Sequence, residues 1–125
     1  MPNVDLAIIG AGPAGLSAAL AAKACGLKPL VVDENPQVGG QIFRQIPEAF
    51  TVQNPESLGN TYKKGQSLLK KVDSAEIDLK LRTTVWGLFQ PLTLGLISDA
   101  KSEAVKCKSL ILATGAYDRI VPFPG

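Results

Sequence analysis

The residues of this chain best equipped for chemistry are three glycines in the stretch Gly10-Ala11-Gly12-Pro13-Ala14-Gly15, and the chemistry they suit is the holding of phosphate. In a G-x-G-x-x-G turn the first glycine, Gly10, allows a tight bend. The second, Gly12, lets a pyrophosphate approach the backbone, and the third, Gly15, lets the following helix lie close on the preceding strand. The free N–H groups and positive dipole end of that helix face the phosphates. Pro13 suits the arrangement, because its missing N–H falls in a first turn that has no intrahelical partner. Asp33 closes a second apolar run, Leu30-Val31-Val32, near the ~20-residue spacing expected of a carboxylate that accepts from a ribose hydroxyl. A glycine-rich turn that binds nothing is the alternative, and the strand–loop–helix–strand–acid context argues against it.

Such residues work only if particular elements position them. Leu6 to Ile9 is too short for a helix and reads as a buried strand. Residues 13 to about 25 read as a helix, with Leu16, Ala19, Leu20 and Lys23 at helical spacing and Gly26 as its C-terminal cap. Lys28 to Asp33 is the second strand, with Pro29 tolerable at its start. The loop from Asp33 to Gln41 carries Gly39-Gly40, where backbone passes close to a ligand or another segment. Gln41 to Asn54 is irregular, with Phe43, Ile46 and Phe50 as anchors. A helix is expected from Pro55 to about Val72, although Gly59 and Gly65 weaken it. Leu79, Leu81, Thr83 and Val85 alternate, so Asp78 to Trp86 reads as a strand. Gly87 to Ser98 and Ala104 to Cys107 read as antiparallel strands about the turn Asp99-Ala100-Lys101-Ser102. Leu110 to Ala113 is apolar throughout, as a central parallel strand would be.

Composition narrows the function classes. A formal net charge of +2 over 125 residues gives no reason to expect nucleic acid or an acidic membrane as partner. Lys63, Lys64, Lys70 and Lys71 are read as a solvated helix face, without interleaved stacking aromatics. The chain has no histidine, the commonest general base and metal ligand. Its two cysteines, Cys25 and Cys107, stand in no redox or metal spacing and are read as small apolar residues. Neither a signal peptide nor a membrane span is expected, and the cytoplasm is the default location.

Three blocks carry a family resemblance: Ile9 to Leu16, Asp33 to Arg44, and Ala113-Thr114-Gly115-Ala116-Tyr117-Asp118-Arg119 running to Pro122-Phe123-Pro124-Gly125. Together they resemble the FAD-binding half of the pyridine nucleotide-disulfide oxidoreductase superfamily. The wording is most similar to the FAD-binding subunits of amino-acid and opine dehydrogenases, a neighbourhood that includes hydrogen cyanide synthase and heteromeric sarcosine oxidase. The resemblance implies that Gly10, Gly12, Pro13, Ala14 and Gly15 hold the FAD pyrophosphate, and that Asp33 accepts from the adenosine ribose with Glu34 as its possible substitute. Gly39, Gly40 and Gln41 would run beside the ribityl–phosphate stem, with Arg44 adding positive charge. The backbone of Val85 would pair with adenine, and Ala113, Thr114 and Gly115 would pack against the cofactor. Arg119 belongs to the second motif without an assigned contact.

Departures limit what is carried over. No cysteine follows Gly39-Gly40, and no C-x-x-C occurs, so a disulfide-reducing centre is absent from these residues. No catalytic residue and no metal site is expected. The family's second nucleotide domain and its returning Gly-Asp segment have no counterpart, so a fragment or truncated product, inactive alone, is expected.

The expected fold class is α/β: a Rossmann-like parallel sheet with helices on both faces and a small antiparallel insertion, forming an incomplete FAD/NAD(P)-binding domain. Within residues 1–125 this places a β-α-β unit over 4–33, a cofactor loop over 34–44, a helix over about 55–72, a β segment over 78–108 and a second FAD motif over 110–125. The expected function is the FAD-holding segment of a flavin-dependent oxidoreductase, amino-acid or opine dehydrogenase-like. Two alternatives stay open: an NAD(P)-binding domain of a dehydrogenase, and a non-catalytic fragment that self-associates without cofactor. Expected partners are FAD, other subunits of a heteromeric dehydrogenase and further copies of the chain through uncovered surfaces; NAD(P) would serve the full-length protein.

Overall fold

The computed structural model describes residues 1–99 and 101–124; Ala100 of the expected turn and Gly125 of the second motif lie outside the described residues. In chain order the elements are β1 (Asn3–Ile9), α1 (Pro13–Ala24), β2 (Pro29–Val32), a 3₁₀ turn (Pro55–Leu58), α2 (Asn60–Ser74), β3 (Asp78–Lys80), β4 (Thr84–Phe89), β5 (Thr93–Ser98) and β6 (Lys101–Leu112). The strands form a sheet in the order β3-β2-β1-β6-β5-β4. Pairs β3–β2, β2–β1 and β1–β6 are parallel, whereas β6–β5 and β5–β4 are antiparallel.

Strand β6 joins the two regimes. Its first half, Lys101 to Lys106, pairs with β5, and Lys106 to Leu112 pairs with β1. The runs expected as separate strands, Ala104–Cys107 and Leu110–Ala113, therefore fall on one strand, which ends at Leu112 and leaves Ala113 just beyond it. Conversely, the run Gly87–Ser98 divides into the end of β4 and the whole of β5, turning through residues 90–92.

Alternation along β1 explains the core. Leu6 and Ile8 face one side, where Leu16, Ala19 and Ala22 of α1 and Leu69 and Val72 of α2 are buried with Val31. Ala7 faces the other side with Leu30, Val32, Leu94, Leu96, Val105 and Cys107. Strands β1 and β2 are thus apolar on both faces, as a central parallel pair must be. The expectation of helices on both faces needs correction. Among the described residues α1 and α2 share one face, and β5 with the first half of β6 covers the other, because Leu94, Leu96 and Val105 present an apolar strand face there.

Local sequence sets the element ends. Helix α1 ends in a Schellman arrangement: the Leu27 N–H donates to Ala22 O at 3.0 Å and the Gly26 N–H to Lys23 O at 3.0 Å. The helix expected over about 55–72 is broken at Gly59, whose φ of 88° no helix accommodates, so α2 proper begins at Asn60. Gly65 has a packing reason. A Cβ there would stand 3.0 Å from Cβ and Cγ of Phe43, so the missing side chain admits that ring against α2. Phe43 is an anchor as expected, whereas Phe50 is exposed. No helix among the described residues is long and apolar enough to cross a membrane.

Candidate functional site

The glycine loop is shaped by close backbone contact. Gly10 has φ 112°, and a Cβ on it would overlap the carbonyl of Ala113. A Cβ on Gly15 would overlap the carbonyl of Gly10 and sit 3.3 Å from Cγ2 of Ile8. Gly12 differs: it is extended (φ −78°, ψ −178°), and nothing in the protein lies closer to its would-be Cβ than Gly40 Cα at 3.9 Å. Gly10 and Gly15 are therefore required by the protein's own packing. Gly12 keeps open the space in front of α1. That helix carries no side-chain N-cap and no acidic residue in its first turn, which leaves its positive end to an anion.

Hydrogen bonds lock this loop to the end of β2 and to the loop over 34–44. The Gly10 N–H donates to Val32 O at 2.8 Å, and the Gly39 N–H donates to Ala11 O at 2.8 Å. The Ala11 N–H donates to Asp33 Oδ2 at 2.6 Å. Ala11 is fully buried, so without that acceptor its N–H would cost about 1–3 kcal/mol. Asp33 Oδ1 accepts twice more, from the Asn35 N–H and from Asn35 Nδ2, each at 2.8 Å. The Asp33 backbone is pinned as well, donating to Lys80 O and accepting from the Thr83 N–H, both at 3.0 Å. Beside it, Glu34 is exposed.

The loops enclose a cavity of ≈ 730 Å³. Gly10, Gly12, Pro13, Ala14, Asp33, Glu34, Gly40, Gln41, Arg44, Ala113, Thr114 and Gly115 line it. Gly15 and Gly39 stand behind its wall, where they shape the loops. Val85 is apart from it and lines an adjoining space of ≈ 230 Å³ with Gly10, Asp33, Glu34, Thr83, Thr84 and Thr114. Arg119 lines neither space. The two distant glycine blocks are also tied directly: Gln41 Nε2 donates to Ala116 O at 2.8 Å, across 75 positions of sequence. Arg44 stands outside the ion pairs found among the described residues, so its charge is free for the cavity.

Several further residues of this site carry a weaker signal in the sequence. Asn35 orients Asp33, and its place two residues after an aspartate in a turn is an Asx pattern that signals the contact. Ala11 receives the acid's bond, but an alanine carries no chemical signal of its own. Tyr117, which the third block carries without an assigned role, lines the cavity and is exposed. Thr83 is buried, its Oγ1 donating to Leu81 O at 2.9 Å beside the smaller space.

Two groups away from the cavity have shifted acidity. The hydrogen bond from Lys108 to Asp5, followed by the Lys28 N–H, holds the Asp5 carboxyl below its ordinary value. Burial raises the Cys107 thiol, whose Sγ contacts Leu92 O at 3.4 Å.

A glycine loop on an uncapped helix, an acid at the end of β2 and a crevice outside the carboxyl ends of parallel strands define a dinucleotide-binding α/β domain. The chain belongs to the pyridine nucleotide-disulphide oxidoreductase family, whose model matches residues 4–125. It is 39% identical to an opine oxidase subunit from Agrobacterium tumefaciens (strain Ach5), over 97% of this chain and 25% of that protein. It is 32% identical to the HcnB subunit of hydrogen cyanide synthase from Pseudomonas aeruginosa, over 98% of this chain and 27% of that protein. Among solved structures it superposes on L-proline dehydrogenase from P. horikoshii with TM-score 0.75 at 26% identity, covering 95% of this chain and 24% of that one. The chain thus spans about a quarter of the length of these relatives. FAD is the cofactor that membership implies. The residues present fit its phosphate-bearing part, because the uncapped start of α1, the open face of Gly12 and Arg44, in no ion pair among the described residues, border the same cavity.

Proposed function

We propose that this chain is the FAD-holding segment of a flavin-dependent oxidoreductase, with the ADP part of the cofactor on the Gly10–Gly15 loop, and that the whole protein oxidises an amino acid or an opine. One observation carries the reading. Blocks far apart in sequence, Gly10 to Ala14, Asp33 to Gln45 and Ala113 to Tyr117, meet around one cavity. A nicotinamide dinucleotide would need the first block and the acid; the walls built by Gly40, Gln41 and Arg44 and by Ala113 to Tyr117 favour a longer ligand.

Bound FAD would supply the hydride and electron chemistry, and this chain's residues hold and orient it. In the proposal Gly10, Gly12, Pro13, Ala14 and Gly15 form the pyrophosphate seat, and Asp33 and Glu34 stand at the ribose. Gly39, Gly40, Gln41 and Arg44 run along the stem, Val85 offers its backbone to adenine, and Ala113, Thr114 and Gly115 pack on the far side. The chain by itself is not expected to turn over substrate. The naming of both relatives as subunits supports other subunits as partners. Exposed Leu112, Ile120 and Phe123 support self-association, and two unbridged thiols support a cytoplasmic setting.

The test is a titration of FAD with the chain, followed by quenching of flavin fluorescence. Saturable quenching that excess ADP reverses is the expected result. Quenching indifferent to ADP would place the flavin elsewhere.

A further inference from the structure

We propose, on the FAD reading above, that Phe43 positions one wall of the cavity from outside it, and that its seat at Gly65 of α2 sets the preference for FAD over ADP. Of residues 40 to 45, Phe43 alone does not border the cavity. Its ring turns instead to α2, where a Cβ at position 65 would stand 3.0 Å from its Cβ and Cγ and 3.1 Å from its Cδ1. Gly65 is buried and borders neither space of the site. Glycine inside a helix weakens it, and at this position the missing side chain is what admits the ring. Both residues therefore act at a distance from any ligand, through the segment that Phe43 belongs to.

That segment is one closed turn. The Phe43 N–H donates to Gly39 O at 3.1 Å, and a Cβ on Gly39 would overlap the Phe43 carbonyl. Gln45 Nε2 donates to Val38 O at 2.9 Å and joins the two ends. The ring's seat on α2 thus fixes where Gly40 stands against Gly12, whose Cα lies 3.0 Å from a would-be Gly40 Cβ, and where Gln41 and Arg44 border the cavity. The glycine loop has support of its own. Its Gly10 N–H is bonded to Val32 O, and Gly10 and Gly15 pack on backbone that Phe43 does not touch. Loss of the ring's seat shifts the wall along the stem of FAD and leaves the seat of the ADP part standing.

The experiment measures FAD and ADP affinity, with amide exchange read without ligand, for the wild-type chain, Phe43→Ala, Phe43→Leu, Gly65→Ala and the double variant Phe43→Ala/Gly65→Ala. In Phe43→Ala the amide at position 43 should exchange faster while that of Gly10 stays protected. FAD affinity should fall about ten-fold and ADP affinity by less than about two-fold. The ratio is the telling quantity, because a smaller folded fraction would lower both affinities by one factor. Phe43→Leu keeps Cβ, Cγ and Cδ1, the atoms nearest Gly65, and should restore most of the FAD affinity. Gly65→Ala presses on those atoms from α2 and should lower FAD affinity selectively, by less than Phe43→Ala does. In the double variant it should add less than it does alone, since Cγ and Cδ1 are gone. Should Phe43→Ala not fold, Gly65→Ala carries the test. Equal losses of FAD and ADP affinity in either single alanine variant would overturn the proposal, as would Phe43→Leu binding FAD no better than Phe43→Ala. A wild-type chain that binds neither ligand would overturn the cofactor reading itself, and this proposal with it.

Discussion

Substituting the glycines of the loop one at a time separates the protein's needs from the ligand's. A Cβ at position 15 would overlap the Gly10 carbonyl, backbone that cannot swing away, and would press on Ile8 Cγ2 at 3.3 Å. Overpacking of this kind costs about 1–3 kcal/mol. At roughly 4 °C per kcal/mol for a chain of this size, Gly15→Ala should lower Tm by about 4–12 °C. At position 12 the balance reverses. The backbone is extended, any residue can adopt it, and the nearest atom is 3.9 Å away. Alanine there gains about 0.4–1 kcal/mol from a less flexible unfolded chain and loses a few tenths to 1 kcal/mol as a poorer N-cap than glycine, so Tm should hardly move. The new side chain nevertheless projects into the space in front of α1. Displacing a phosphate from one charge-assisted N–H bond forfeits about 1.5–3 kcal/mol, roughly a 10- to 150-fold loss of affinity. Calorimetric melting paired with ADP titration of Gly12→Ala and Gly12→Val reads both quantities. A Gly12→Val chain that melts like wild type and binds ADP undiminished would refute the assignment of the loop.

Other consequences follow from the packing and the charges. Leu16 is fully buried between α1 and the sheet, so Leu16→Ala should cost about 2–5 kcal/mol in denaturant unfolding. Gly65→Ala adds helix propensity but pushes on Cβ and Cγ of Phe43; a net loss of about 1 kcal/mol is expected, with faster amide exchange confined to the segment around Gly39 and Phe43. The Asp5 carboxyl is depressed by Lys108 and by the Lys28 N–H, so its contribution is present above the unfolded carboxylate value of about 3.9. That contribution is lost as pH falls through the lower folded value. Asp5→Asn should therefore be less stable than wild type at neutral pH, and the two melting curves should converge in acid.

Legibility in the sequence followed the strength of the local signal. Gly10 and Gly15 were readable because backbone contact forbids side chains there, and no other residue type meets that need. The central strands were readable because burial on both faces leaves Leu6 to Ile9 of β1 and all of β2 apolar. In the antiparallel part the local pattern misplaces the strand breaks. Lys108 and Ser109 interrupt the apolar run of β6, yet they stand exposed on a continuous strand. Leu88 to Leu96 looks unbroken apart from Pro91, where the chain turns from β4 into β5. The covering of the second face was hidden for a related reason: Leu94 and Leu96 bury against Ala7, Leu30 and Val32, partners more than sixty positions away that no local pattern names. At the site, spacing located the acid but not the direction of its carboxylate. That direction depends on Ala11, an alanine chosen for its size and its backbone.

Everything proposed for this chain depends on the crevice being built for FAD. Isothermal titration of the chain with FAD, ADP and NAD under one set of conditions decides the matter. One shared site is expected, with ADP competing against FAD and FAD binding more tightly than NAD. NAD binding as tightly as FAD, or no heat from FAD or ADP at any accessible concentration, would contradict it.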